Sequence, residues 1–243
     1  MPPPKYLAQA NRLLAALPAE SRALFLEHCE LVDLNRQDVL TLAGQTTDYA
    51  YFPIDSFIAS ILKLEDASDV QFGLTGNEGM VNVSLVLGMS VASTTSVVQG
   101  AGRAYRISQH ELQEQLKSTP GLRDVLHNYV ALRMDQLAQN MACASCHSVE
   151  QRLARWLLMA QDRAHSSELL LTHEVLAFML GVRRESVTQA ASSLQKQALI
   201  SYSRGDIMLL DEPGLKAVAC ECYQTNLTIY ERAMGCYVTD QSL

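Results

Sequence analysis

Apolar and polar positions change rhythm three times along the chain. From residue 6 to 30, Leu7, Leu13, Leu14, Leu17, Leu24 and Phe25 recur at helical spacing, and Pro18 splits the stretch into two helical pieces. From Val32 to Ile107 the rhythm shortens. Apolar runs at Val39–Leu42, Tyr49–Phe52, Ser56–Leu64, Val70–Leu74, Val97–Val98 and Ala104–Ile107 alternate with turn-forming clusters such as Pro53-Ile-Asp55 and Gly76-Asn-Glu-Gly79. Many short strands at this interval predict an antiparallel sandwich or barrel. Gly79 to Gly102 carries no charge and is long enough to cross a bilayer. Its Asn82, Gln99, serines, threonines and glycines mark it instead as buried strands and loops.

The helical rhythm returns at Ser108, which with Glu111 has the spacing of a capping box. After Pro120, the residues Leu126, Val130, Met134, Leu137 and Met141 form one narrow stripe. Such a stripe packs either on its own domain or on a second copy of the helix, and its length and narrowness favour a dimer seam. The pattern runs on through Val149–Met159 and breaks in the polar stretch Gln161–Glu168.

Leu171–Ile200 carries the most chemistry. Thr172 suits a helix cap ahead of Val175, Leu176 and Met179, and Gly181 falls where the chain must turn. A second helix follows from about Arg184 to Gln197, with Val187, Ala190, Ala191 and Leu194 as its inner face. Two short helices joined by a glycine-bearing turn make a helix-turn-helix. The residues left outward near the second helix's start are Arg183, Arg184, Glu185, Ser186, Thr188 and Gln189. Arginine pairs with guanine, glutamate accepts from cytosine and glutamine pairs with adenine in the major groove, while Ser and Thr suit phosphate oxygens. Leu199–Asp211 then reads as a hairpin turning at Arg204-Gly205-Asp206, a wing whose Arg204 reaches toward the phosphate backbone. Together Thr172, Arg183 to Ser186, Thr188, Gln189 and Arg204 are the candidate DNA contacts.

In its order of parts the chain resembles the Crp/Fnr family. The resemblance spans about residues 10 to 223 and is most specific at Tyr51-Phe-Pro-Ile-Asp55, Gly76-Asn-Glu-Gly-Met80, Glu150–Leu158 and Leu171–Leu199. It implies an α+β chain with an N-terminal β jelly-roll sensor of the cyclic-nucleotide-binding type over 1–118, a dimerisation helix over 119–147 and a winged helix-turn-helix over 148–243. It also implies a homodimer on a two-fold symmetric operator of double-stranded DNA. Arg184, Glu185 and Gln189 resemble the family's base-reading positions. The last is often Arg in the cyclic-AMP-responsive branch, so the operator is expected to differ. In the sensor, Glu78 resembles the ribose-binding Glu. The phosphate-binding Arg position falls nearest Thr95, beside Thr94, and Ala92–Val98 contains no Arg. A cyclic phosphate without its guanidinium loses its strongest charge-assisted bonds, so cyclic AMP is not expected to bind. Another effector at Glu78, Thr94 and Thr95 stays open, as does RNA polymerase as a further partner.

The bulk properties narrow this little. The net charge of −7 argues against indiscriminate coating of nucleic acid but permits a local reading surface. The start of the chain, Met-Pro-Pro-Pro-Lys-Tyr-Leu, lacks the layout of a signal peptide, so a cytoplasmic protein is expected. No histidine lies between Val32 and Ile107, and neither a catalytic motif nor a phosphate loop is visible, so an enzyme is not expected. Cys143-Ala-Ser-Cys146-His147 matches the literal c-type haem attachment pattern. These residues open an alternative, a redox, haem or metal sensor, to which Cys220 and Cys222 add further ligands. Against it, the two groups lie in different segments, and Cys143 and Cys146 are one turn apart on one helix face. The expectation is therefore no metal and no cofactor. A small-molecule module whose winged domain makes protein contacts is the third reading.

Overall fold

The computed structural model of the chain describes residues 11–64, 69–164, 166–203 and 205–238. These form two compact units. One comprises Gly73–Asp135, the chain before it up to Leu62, and the segment from Ile229 onward; the other comprises Lys63–Phe72 and Gln136–Thr228.

The first unit opens with two short helices, α1 (Arg12–Ala15) and α2 (Ala19–Glu27). Asn11 caps α1 through its side-chain oxygen, while its amide donates to the carbonyls of Pro53 and Gly79, both at 2.9 Å. Seven strands follow: β1 (Glu30–Leu34), β2 (Val39–Thr41), β3 (Tyr49–Pro53), β4 (Phe57–Leu62), β5 (Val70–Thr75), β6 (Thr95–Gly100) and β7 (Gly102–Ser108). They make two sheets, ordered β1-β7-β3 and β2-β6-β4-β5. Neighbours in each sheet are mostly not consecutive in sequence, as a jelly roll's crossovers require. Register is fixed by pairs such as Ala50 with Ile107 and Phe52 with Tyr105, all four of them buried. A small cluster of Leu34, Tyr51, Ile58, Val81, Val98 and Ala104 fills one part of the interior. The larger core joins Leu13, Leu14, Leu17 and Phe25 to Phe52 and Ile107, with Phe25 set edge-on to Phe52 at 5.6 Å.

Ser108 caps α3 (Gln109–Ser118), accepting from the Glu111 amide at 3.1 Å. Glu111 does not complete the box; its carboxylate pairs with His28 at 2.7 Å. The long helix α4 (Leu122–Cys146) buries Leu122, Val125, Leu126, Tyr129 and Leu132 in the larger core. Tyr129 lies against the Gly76–Met80 turn, its hydroxyl 3.4 Å from the Met80 carbonyl.

The second unit contains the end of α4, then α5 (Val149–Ala164), β8 (Glu168–Leu170), α6 (His173–Leu180), α7 (Arg184–Lys196), β9 (Ile200–Ser203), β10 (Asp206–Leu209) and α8 (Glu212–Val218). Its sheet is ordered β8-β10-β9, antiparallel throughout. The last helix, α9 (Cys222–Val238), begins in this unit and ends in the first, where Tyr230 and Met234 join the larger core.

Several expectations are corrected. The first helical stretch stops at Glu27, and residues 30–34 form a strand paired with β7. Leu24 faces solvent rather than the core, and Leu7 lies outside the described residues. The uncharged stretch from Gly79 holds a 3-10 helix (Val83–Leu87) and β6. Among the described residues no helix is long and apolar enough to cross a membrane. The segment from Ile229 groups with the first unit.

Candidate nucleic-acid interface

The helix-turn-helix is built by local signals. Thr172 caps α6 by accepting from the Val175 amide at 3.3 Å. Gly181 ends α6 at φ +62°, a left-handed conformation that costs a side chain strain but glycine nothing. The turn is closed by the Val182 amide bonding the Ala177 carbonyl at 3.1 Å. A guanidinium nitrogen of Arg152 donates to the Leu180 carbonyl, one of the acceptors left open at the helix end. On α7, Val187, Ala190, Ala191 and Leu194 are all buried, as the periodicity required. At its far end Glu150 of α5 accepts from Ser193 and Gln197, both at 2.9 Å.

With that face fixed, Arg183, Arg184, Glu185, Thr188 and Gln189 stand exposed on the opposite side, and Ser186 is half-buried at their edge. Arginine, glutamate, threonine and glutamine side chains thus occupy the first turns of a helix whose orientation is locked by its core. The positive end of the helix dipole adds to the attraction for phosphate. Thr188 is held in place. Its hydroxyl donates to the Arg184 carbonyl at 3.1 Å and lies 3.0 Å from His173 Nδ1. His173 stacks on Tyr202 of β9 with ring centroids 4.1 Å apart. Burial, and then the charge of Arg184, hold His173 below its ordinary pKa, which favours the neutral imidazole. The Thr172 hydroxyl is engaged in its cap, and Arg204 lies outside the described residues. The sequence reading missed His173 and Tyr202 because their role depends on the wing folding back beside α7; a histidine right after the cap residue was the only local hint.

In the first unit, Glu78 accepts from the Gly76 amide at 3.1 Å. Thr95 is buried and its hydroxyl accepts from the Ala43 amide at 3.2 Å; Thr94 is half-buried. A cavity of about 310 Å³ in this unit is lined by Glu27, His28, Cys29, Tyr49, Arg106 and Glu111 among others, and by none of Glu78, Thr94 and Thr95. The haem-like sequence is also divided. Cys143 is buried, whereas Cys146, the last residue of α4, is exposed.

Comparison with known proteins agrees with this layout. Residues 151–218 match the Crp-like helix-turn-helix domain. FixK2 from Bradyrhizobium japonicum superposes with a TM-score of 0.66 at 14% identity, covering 79% of this chain and 98% of that one. The c-di-GMP-responsive global regulator CLP of Xanthomonas campestris gives 0.65 at 16% identity over 80% and 100%. A Crp/Fnr-family regulator of Thermus thermophilus gives 0.57 at 22% identity over 78% and 98%. No curated protein sequence matches the chain. Residues 151–218 carry a Crp-like helix-turn-helix domain, and the fold ahead of them is like that of the Crp/Fnr-family structures.

Proposed function

We propose that the chain works as a cytoplasmic homodimer that reads a two-fold symmetric operator without cyclic AMP. The observation that carries this reading is the row Arg183, Arg184, Glu185, Thr188 and Gln189, exposed on a helix whose other face is wholly buried. Arg184, Glu185 and Gln189 read base edges, while Arg183, Ser186 and Arg204 hold the phosphate backbone; Thr172 and Thr188 position the helix pair at the DNA. Dimerisation uses the later part of the α4 stripe, since Met134, Leu137 and Met141 are exposed in the single chain while Leu126 is buried in its own core. Two copies of α7 then enter successive major grooves about 34 Å apart. Independence from cyclic AMP is supported by Thr95, whose buried hydroxyl is committed to a backbone amide and offers no positive charge.

Footprinting of the reduced, ligand-free protein on genomic fragments tests both halves. The expected result is protection of a palindromic site that weakens by about 10- to 100-fold in Arg184→Ala, with relaxed sequence preference. An Arg184→Ala footprint equal to wild type would overturn the DNA-reading assignment. Protection that requires cyclic AMP would overturn the effector assignment.

A further inference from the structure

Cys143 and His147 lie more than seventy residues from Cys220 and Cys222 in the sequence, and the fold removes that separation. Within the second unit, the link between α8 and α9 lies against the last turn of α4. Cys143 is 1% exposed, Cys220 3% and Cys222 0%, and the four ligand atoms of Cys143, His147, Cys220 and Cys222 all lie within 4.8 Å of one another. The Cys143 and Cys220 sulfurs are 3.5 Å apart, and Cys222 Sγ is 3.5 Å from His147 Nδ1. All of these cysteines are free thiols. We infer that Cys143, His147, Cys220 and Cys222 form a tetrahedral Cys3His site for a zinc ion.

The spacing selects the ion. Zinc bonds of about 2.3 Å to sulfur and about 2.0 Å to nitrogen set tetrahedral ligand atoms about 3.5–3.8 Å apart, so the observed pairs need only small shifts. An iron–sulfur cubane binds each cysteine through a different iron and spreads the sulfurs more widely. Three thiolates and an imidazole also suit a borderline-soft d10 cation better than magnesium or calcium.

The surroundings are those of a metal centre. His147 Nε2 is 3.1 Å from a Glu221 carboxylate oxygen, an arrangement in which Nε2–H donates outward and the Nδ1 lone pair faces the sulfurs. Gln139 donates to Cys222 Sγ at 3.0 Å and Arg155 to Cys143 Sγ at 3.4 Å, two bonds that stabilise thiolates. Three thiolates on a divalent ion leave one net negative charge, which the Arg155 guanidinium balances. Loading releases the remaining thiol protons to solvent. Cys146 is exposed and takes no part. The site joins the last turn of α4 to the first turn of α9.

The test uses the full chain. Elemental analysis of protein purified without chelator is expected to find about one zinc per chain. After chelator treatment, titration with cobalt(II) gives thiolate-to-cobalt charge transfer and tetrahedral ligand-field bands that saturate at one equivalent. Cys220→Ser with Cys222→Ser abolishes both signals, and Cys146→Ser leaves them unchanged. Glu221→Gln alters a side chain that is 73% exposed, so the fold is kept, yet affinity by chelator competition falls about 10- to 100-fold. Wild-type protein with neither zinc nor a cobalt spectrum would overturn the site. So would loss of metal in Cys146→Ser, or iron with inorganic sulfide in place of zinc.

Discussion

If α4 is the dimer seam, shortening its exposed methionines must weaken association without touching the protomer. Met134 is 67% exposed, Met141 72% and Leu137 40% in the single chain. Covering a methionine fully stabilises by about 2 kcal/mol, and alanine keeps roughly a quarter of that. At about 70% exposure, each Met→Ala change therefore removes about 1 kcal/mol of seam burial. Two-fold symmetry doubles every loss, so Met134→Ala with Met141→Ala removes about 4 kcal/mol per dimer, or about 1,000-fold in dimer Kd. Sedimentation equilibrium measures that constant directly. Because both side chains already face solvent, the circular dichroism of the double variant should match wild type, and its DNA affinity should fall at protein concentrations where wild type is dimeric. A dimer Kd within about threefold of wild type would refute the seam, since it implies less than 1 kcal/mol from the two most exposed apolar side chains on the helix.

Two further predictions follow from contacts within the units. A Cβ at Gly79 would overlap the Tyr129 hydroxyl and ring, so Gly79→Ala forces Tyr129 or the turn to move and costs about 1–3 kcal/mol. Calorimetry should show Tm lowered by roughly 3–10 °C, with a smaller penalty in a Tyr129→Phe background, and an unchanged Tm would contradict the packing. His173 is held below its ordinary pKa, so as pH falls below about 6.5 the unfolded chain takes up a proton that the folded chain resists, and stability declines until the folded group titrates. Its stabilising share is thus present above that pH and lost below it. A Tm–pH profile should flatten on the acid side in His173→Asn, and an unaltered slope would show that His173 does not titrate between the two states.

What could be read in advance was what depends on near neighbours in sequence. The turn at Gly181, the cap at Thr172 and the buried row Val187, Ala190, Ala191 and Leu194 follow from spacing within one or two turns. The reading face of α7 is simply what that row leaves outside. Strand β1 was missed because its inward residues are spoken for only once β7 lies beside it. Leu24 was misplaced because α2 presents one apolar side chain beyond those its core can take. The pairing of Cys143 and His147 with Cys220 and Cys222 was dismissed because the closure of a chain of some seventy residues is invisible to any local pattern. The ends of α9 behave likewise: Cys222 and Tyr230 sit on one helix but serve different compact units.

Helix α4 concentrates these dependencies. Its 25 residues span about 37 Å, and its early turns are fixed by Leu122, Leu126, Tyr129 and Leu132 in the first unit's core. Its last turn carries Cys143, which the proposed zinc ties to α9. The division between the two compact units falls between Asp135 and Gln136, inside the run from Met134 to Met141. In the proposed dimer, the partner helix therefore grips α4 on both sides of that division. A single helix can bend there, whereas two helices packed along Met134, Leu137 and Met141 resist bending, because any kink must uncover apolar surface on both copies. On this argument the proposed dimer does more than duplicate α7: it holds α4 straight where the two compact units divide it.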